Sequence, residues 1–196
     1  MGYVGNEMNP EEIDRLQATA HRRMNIGCGG FPMAFWTNVD RDPLLVAQIH
    51  AIVPPIPAAD ESLDEIYAGH FLEHLDRVEA REFLRECMRC LVPGGRLGLV
   101  VPDTREVMKR WLEGANDCME YPYNTWWPLA DLDSVCACFL YSPVQATGHK
   151  WSYDESTLAK IMTEMGFINL EPIDRWVDPR VARGAFYQCG YSGLKP

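Results

Sequence analysis

The 196-residue sequence lacks the long apolar run that would cross a membrane and the charged-then-apolar start of a secretory signal. Its seven cysteines are an odd number without a paired framework, so we expect a reducing, cytoplasmic setting rather than a disulfide scaffold. A basic surplus is also lacking, because 28 Asp and Glu outnumber 18 Lys and Arg and give a net charge of −10. Without a basic patch, so acidic a chain is expected to have neither nucleic-acid nor membrane partners.

The composition itself is that of a folded protein. Hydrophobic residues make up 47% of the sequence and charged residues 23%, which argues against disorder. The length is that of one domain with a sizeable core, so we predict a single domain over residues 1–196. Within residues 1–22, Asn9 and Pro10 followed by two glutamates predict the start of an N-terminal helix.

Short apolar segments and helical segments alternate along the chain, which is the rhythm of a parallel sheet. A long helix is predicted from about Phe71, ended by Pro93-Gly94-Gly95. A second helix is predicted to open with a capping box of Ser152 and Glu155. The predicted strands are residues 23–26, 37–39, 46–49, 63–68, 97–101, 167–173 and 185–191.

Two connections near the start of this pattern are short. A parallel crossover usually needs a dozen or more residues, whereas only a handful separate Gly30 from the strand at Thr37. The connection from Arg41 to Leu45 is shorter still. One side of the sheet should therefore carry thinned helices.

The stretch from Arg23 to Asp40 predicts a nucleoside site. Gly27-Cys28-Gly29-Gly30 forms a turn after the first strand, and glycine lets the backbone approach a ligand closely. Asp40 ends the neighbouring strand, where a carboxylate can accept hydrogen bonds from a ribose diol. The pattern therefore indicates an adenosine-like ligand.

The chain resembles the class I S-adenosylmethionine-dependent methyltransferases, and looks closest to small methyltransferases associated with bacterial polysaccharide and glycan modification. The resemblance implies an α/β, Rossmann-like, seven-stranded and mostly parallel sheet with a reversed last strand, and S-adenosylmethionine as cofactor. It rests on five stretches in the family's order: MNIGCGG, TNVD, DESLDEIYAGHFLEHL, LVPGGRLGLVVPD and GHKWSYDESTLAKIMTEMGF.

The same resemblance implies the cofactor contacts. The glycine turn would pass under the methionine portion, Asp40 would hold the ribose, and the end of the fourth strand would lie at the sulfonium. Where many relatives carry an acid, this chain has Asn25 in the first strand and Gln48 near the adenine; an amide can still hydrogen-bond there. The implied set is Asn25, Gly27, Cys28, Gly29, Asp40, Arg41, Gln48, Ile49, Gly69 and His70.

Three histidines are candidates for the base that takes a proton from a hydroxyl acceptor, because imidazole titrates in the right range. They are His70, His74 and His149, and each could instead serve only to order its own turn. We assign no metal ligand here, although Glu73 and His74 could hold a divalent ion. His-x-x-Glu-His also matches a reversed zinc-protease motif, but it follows a strand in a nucleotide-binding pattern.

The aromatic-rich segment within residues 103–150 is predicted to be a lid or insertion over the acceptor, since aromatic faces stack on sugars. Core packing of many of its rings is the alternative. The predicted partner is a small hydroxylated acceptor such as a sugar, and a homodimer is left open. The rival functions are an inactive cofactor-binding module and an NAD(P)-linked oxidoreductase, although Pro32 replaces the third glycine that the latter requires.

Overall fold

The computed structural model describes residues 20–113, 149–173 and 188–196. The strands are β1 (Arg23–Ile26), β2 (Thr37–Asp40), β3 (Ile49–His50), β4 (Leu63–Gly69), β5 (Leu91–Pro102), β6 (Ile168–Pro172) and β7 (Gln188–Leu194). The α-helices in the described part are α1 (Arg77–Cys90), α2 (Thr104–Leu112) and α3 (Glu155–Glu164).

The seven strands form one sheet in the order β3-β2-β1-β4-β5-β7-β6. The pairs from β3 through β5 are parallel, whereas β7 runs antiparallel to both β5 and β6. The predicted Rossmann-like sheet with a reversed last strand is therefore confirmed. Because the parallel strands end at the same edge, the residues that follow β1, β2 and β4 come together there.

The connections between β1, β2 and β3 contain no α-helix, and residues 27–48 are all described. This confirms the thinned helices predicted for that part of the sheet. The prediction of a third strand over residues 46–49 was wrong in its bounds, since β3 is only two residues long. Leu44 and Val46 are exposed, because they lie in the turn before β3 rather than in the sheet.

The long helix begins later than predicted. Residues Leu72–His74 form a 3₁₀ turn, and α1 starts after Asp76, whose side chain caps the helix by accepting from two backbone N–H groups. Val78, near the start of the helix, is mostly exposed. The apolar face that packs on the sheet consists of Ala80, Phe83, Leu84, Cys87 and Cys90.

Two other helix boundaries also differ from the prediction. The chain passes from α1 directly into β5, so Pro93-Gly94-Gly95 lies within the strand and does not end the helix. The capping box of α3 is formed by Asp154 and Thr157 rather than by Ser152 and Glu155. A carboxylate directly before the helix can reach the first free N–H groups, which Ser152 is too far back to do.

Cys87 and Cys90 of α1 are small core residues, because both are fully buried. Burial raises the pKa of both thiols, that of Cys87 well above its ordinary value. Neither thiol is therefore poised to act as a nucleophile.

Several predictions fall on residues outside the described ranges. Of the predicted N-terminal helix over 1–22, only Ala20–Arg22 is described, as a 3₁₀ turn. The predicted lid within 103–150 lies mostly in residues 114–148, and the start of the strand predicted at 185–191 also lies outside. No helix in the described part is long and apolar enough to cross a membrane.

Candidate active site at the carboxyl edge of the sheet

The glycine turn after β1 is anchored to the neighbouring strand. The backbone N–H groups of Gly27 and Cys28 both donate to the Val39 carbonyl oxygen, at 2.8 and 3.1 Å. Gly27 has a φ of +64°, and a Cβ placed there would lie 2.5 Å from Cδ2 of Phe71. Glycine is required at this position on both counts.

The next glycine of the turn contacts the predicted ribose-binding carboxylate. Gly29 N–H donates to Asp40 Oδ2 at 2.9 Å, and Asp42 N–H donates to Asp40 Oδ1 at 3.0 Å. A carboxylate oxygen has two lone-pair directions, so each can accept a further hydrogen bond. A Cβ built on Gly29 or Gly30 would meet no atom of the described residues within 4 Å, so the described part of the chain leaves space beside the carboxylate.

A buried asparagine pair replaces the missing helix in the connection from β1 to β2. Asn38 Oδ1 accepts from the Asn25 amide at 2.9 Å and from Met33 N–H at 2.7 Å. The Asn38 amide donates to the carbonyls of Met33 and Trp36. Asn25 also donates to the Phe31 carbonyl at 3.3 Å. Asn38 therefore fixes the loop that follows the turn, and sequence reasoning missed it because buried polar contacts leave no periodic signal.

The residues predicted at the adenine follow β2 and border β3. Gln48 is exposed, and its Oε1 accepts from Asn38 N–H at 2.7 Å, so this side chain extends the edge of the sheet. Ile49 packs in part against the core, and Arg41 is exposed next to Asp40. Arg41 follows the end of β2, Gln48 directly precedes β3, and Ile49 is the first residue of β3. Their contacts with a cofactor stay predictions.

The end of β4 lies beside the glycine turn because β4 pairs with β1. Gly69 is buried there, and His70 has a φ of +51°, a conformation that costs energy in a non-glycine residue and is concentrated at functional sites. His70 N–H donates to the Val100 carbonyl of β5, and its Nε2 lies 2.8 Å from Gln188 Oε1 of β7. Three strands thus fix the position of this imidazole.

The structure brings all three predicted histidines together around Glu73. The Glu73 carbonyl accepts from the N–H groups of Lys150 and Trp151, which places His149 against the turn that carries His74. The imidazole rings of His74 and His149 meet edge to face, with ring centroids 5.0 Å apart. Glu73 Oε1 lies 3.4 Å from His70 Nδ1. The sequence predicted each histidine separately but did not predict their convergence.

Glu73 is the least expected member of this cluster, because a carboxylate that is only 2% exposed is rare. Burial raises the pKa of Glu73, but the contact with His70 and the fields of His74 and His149 outweigh it and hold the pKa below its ordinary value. Burial, assisted by the nearby Glu73 charge, raises the pKa of the Tyr153 phenol. The cluster therefore keeps a buried negative charge directly beside three imidazoles.

The first half of the chain also matches a known family. Residues 3–99 match the family described as Methyltransferase domain. This match covers β1 to β4, α1 and most of β5, and therefore contains the glycine turn, Asp40, His70 and His74. No curated protein matches the chain.

Solved structures support the fold. An S-adenosylmethionine-dependent methyltransferase from Thermotoga maritima, described as a possible histamine N-methyltransferase, has a TM-score of 0.57 at 16% identity, over 94% of this chain and 88% of that one. A second S-adenosylmethionine-dependent methyltransferase, from Archaeoglobus fulgidus, has a TM-score of 0.54 at 14% identity, over 94% and 93%. The YcgJ protein of Bacillus subtilis has a TM-score of 0.52 at 14% identity, over 95% and 99%. At these identities the likeness establishes the fold alone.

Together, the family match and the fold support an S-adenosylmethionine-dependent methyltransferase and imply S-adenosylmethionine as its cofactor. The residues present fit that cofactor. The space beside Gly29 and Gly30 would admit a ligand against the backbone, and both oxygens of Asp40 can accept further hydrogen bonds.

Proposed function

We propose that this protein transfers a methyl group from S-adenosylmethionine to a hydroxyl group of a small-molecule acceptor, with sugars as the favoured class. The observation that carries the proposal is the meeting, at one sheet edge, of an open glycine turn beside a carboxylate and a cluster of three histidines. The choice of a sugar rests on the resemblance to glycan-modifying methyltransferases and on the hydroxyl chemistry that the histidines suit.

The cofactor would be held from both neighbouring strand ends. The Gly27–Gly29 backbone would lie against its methionine portion, and Asp40 would accept from its ribose hydroxyls. Arg41, Gln48 and Ile49 would border the adenine, while Asn25, Cys28 and Gly69 would support the turn and strand end from below. His70 would then lie next to the reacting centre, because β4 and β1 are neighbours.

When bound, S-adenosylmethionine supplies a sulfonium methyl group; in-line attack by the acceptor oxygen forms a C–O bond, breaks the C–S bond with its electron pair kept on sulfur, and releases one proton. One imidazole of His70, His74 and His149 takes that proton from the hydroxyl. Glu73 stabilises the resulting imidazolium, because its buried carboxylate lies among the three rings. No protein nucleophile is needed.

One observation favours a second function, an inactive cofactor-binding module. The Asn25 and Gln48 side chains, which stand where many relatives carry acids, are engaged in hydrogen bonds to Asn38. Neither can supply the negative charge that would favour a cationic sulfonium. An enzyme with this site should therefore bind the cofactor with modest affinity, whereas an inactive module should bind it without turnover.

Isothermal titration calorimetry with S-adenosylmethionine, its demethylated product and NAD separates these functions. We expect both S-adenosyl compounds to bind and NAD not to bind. Binding of NAD alone would refute the methyltransferase. Turnover on a panel of sugars and other small hydroxylated compounds then distinguishes the enzyme from the inactive module, and methylation only of amines would refute the hydroxyl acceptor.

Asp40 offers the sharpest test of the cofactor position. We expect Asp40→Ala to weaken binding of the demethylated product by about 1–3 kcal/mol, or roughly 5–150-fold, because the ribose hydroxyls lose a charged acceptor. The matched control is Asp42→Asn, which removes the same charge two residues away and keeps an oxygen acceptor for Leu44 N–H. Equal affinity in the Asp40→Ala variant and the wild type would show that the carboxylate is misassigned.

A further inference from the structure

The strongest unassigned feature of the site is the grouping of donor atoms around Glu73. One ligand atom each from Glu73, His74 and His149 lies within 4.8 Å of the other two. Ligands held at about 2.0–2.2 Å from one ion are at most about 4.4 Å apart, so small side-chain rotations would let all three bind the same ion. The backbone bonds from residues 150 and 151 to the Glu73 carbonyl hold this grouping in place.

The buried carboxylate is incompletely satisfied within the described part of the chain. Glu73 is 2% exposed, and its Oε2 has no hydrogen-bond partner there. Its Oε1 has no hydrogen-bond partner among the described residues either, and lies 3.4 Å from His70 Nδ1. His74 Nδ1 is likewise buried without a hydrogen-bond partner in the described ranges. Such groups are costly unless they are paired or coordinate a metal, so the arrangement points to a positively charged ligand.

We propose that Glu73, His74 and His149 form a binding site for a divalent transition-metal cation of the Zn²⁺ type. Two imidazole nitrogens and one carboxylate oxygen are a donor set that suits zinc and its first-row neighbours. Mg²⁺ and Ca²⁺ prefer oxygen ligands, so this set disfavours them. The ligands come from the turn after β4 and from the segment before α3, and the cation therefore joins two distant parts of the chain.

Three protein ligands leave open positions on the cation, as in metal sites that act on substrates. This role rests on the proposed function: neighbouring oxygens of a sugar or other polyhydroxylated acceptor would occupy those positions beside the strand end at His70. A bound cation lowers the pKa of a coordinated oxygen and orients it. Ligation of His74 and His149 leaves His70 as the candidate base among the three histidines.

Cobalt binding tests the site without any methyl donor. The purified chain is stripped with a chelator and titrated with Co²⁺, followed by visible absorption, and with Zn²⁺ and Mg²⁺, followed by calorimetry. We expect one Co²⁺ or Zn²⁺ per chain, with weak visible bands of a nitrogen and oxygen site, and no comparable Mg²⁺ binding. A strong near-ultraviolet thiolate band would place the metal on cysteines and overturn the proposal, as would the absence of binding.

Variants assign the ligands. Loss of an outer-shell partner commonly costs about 10–100-fold in metal affinity, so we expect Glu73→Gln and His149→Asn each to cost about 100-fold or more. His21→Ala is the matched control, because His21 is exposed at the opposite edge of the sheet and should leave affinity unchanged. Circular dichroism verifies folding, and His149→Asn, in a half-buried position, serves if Glu73→Gln does not fold.

Wild-type affinity in both folded ligand variants would overturn the assignment. The result is independent of the methyltransferase proposal, since metal binding without S-adenosylmethionine binding would leave the site standing and refute only the proposed reaction. Binding of the methyl donor without metal binding would refute the metal site and leave the proposed reaction standing.

Discussion

The two halves of the parallel sheet are stabilised in different ways. Between β1 and β3, the connections are loops held by side-chain hydrogen bonds of Asn25, Asn38, Asp40 and Gln48. Between β4 and β5, the connection is the capped helix α1, whose apolar face is completely buried against the sheet. In the polar half, these side-chain hydrogen bonds position the backbone of the connections. In the apolar half, burial of the α1 face removes apolar surface from water and thereby stabilises the fold.

Phe71 joins these halves. It follows His70, lies where a side chain on Gly27 would otherwise be, and packs edge to face on Phe83 of α1 with ring centroids 5.1 Å apart. The glycine turn is therefore supported from below by the helix-packed core. The loop that follows the turn adds apolar contacts of its own, because Met33 and Trp36 are buried and cluster with Tyr67 and Val100.

The largest effect should come from the apolar half. Phe83→Ala should lower the free energy of unfolding by about 3–5 kcal/mol, because a fully buried ring is lost and a cavity remains. Urea denaturation measures the loss. On the same helix, Val78→Ala is the control and should change stability by less than about 0.5 kcal/mol, since Val78 is 66% exposed. Similar losses in both variants would show that burial against the sheet does not determine what a side chain of this helix contributes to stability.

The elements predicted correctly from the sequence are those whose signals are local. Alternation, glycine and a terminal carboxylate located β1, β2 and β4 closely, whereas the two-residue β3 has too short a pattern to bound. Convergence of His149 on His74 could not be predicted, because it depends on hydrogen bonds between segments more than seventy residues apart. The role of Asn38 was missed for a different reason, since buried polar pairs leave no periodic signal.

The polar half should respond most strongly at Asn38. Asn38→Ala should lower the free energy of unfolding by about 3 kcal/mol, because Met33 and Asn25 both lose a hydrogen-bond acceptor. This is the upper end of the range for leaving a buried partner without a hydrogen bond. Denaturation and binding of the demethylated cofactor are both measured, and affinity should fall as the loop loosens. Gln48→Ala removes an exposed acceptor that water can replace, so its stability should change by less than about 0.5 kcal/mol. A larger loss of stability in Gln48→Ala than in Asn38→Ala would show that Asn38 is not the residue that holds this connection.

The support of the turn by Phe71 is tested at Gly27. Gly27→Ala should lower the free energy of unfolding by about 2 kcal/mol from the left-handed backbone alone. A further loss is expected because the new Cβ meets the Phe71 ring. Cofactor affinity should fall together with thermal stability. Gly30→Ala is the matched control for stability alone, since a Cβ there meets no atom of the described residues within 4 Å. Unchanged stability in Gly27→Ala would show that the turn is not held against Phe71.

The smallest expected effect concerns the helix caps and depends on pH. Hydrogen bonds from the Thr157 backbone and side chain lower the pKa of Asp154, so its folded-state pKa lies below the unfolded value of about 3.9. The stability that this capping charge contributes is present above that unfolded value and is lost as pH falls through the folded pKa. Asp154→Ala should therefore cost about 1 kcal/mol at pH 7 and progressively less below about pH 4. Urea denaturation at pH 7 and below about pH 4 measures this difference. Glu82→Gln is the control, because Glu82 is exposed and is not a capping residue. A cost that stays constant or grows on acidification would show that the cap does not act through its charge.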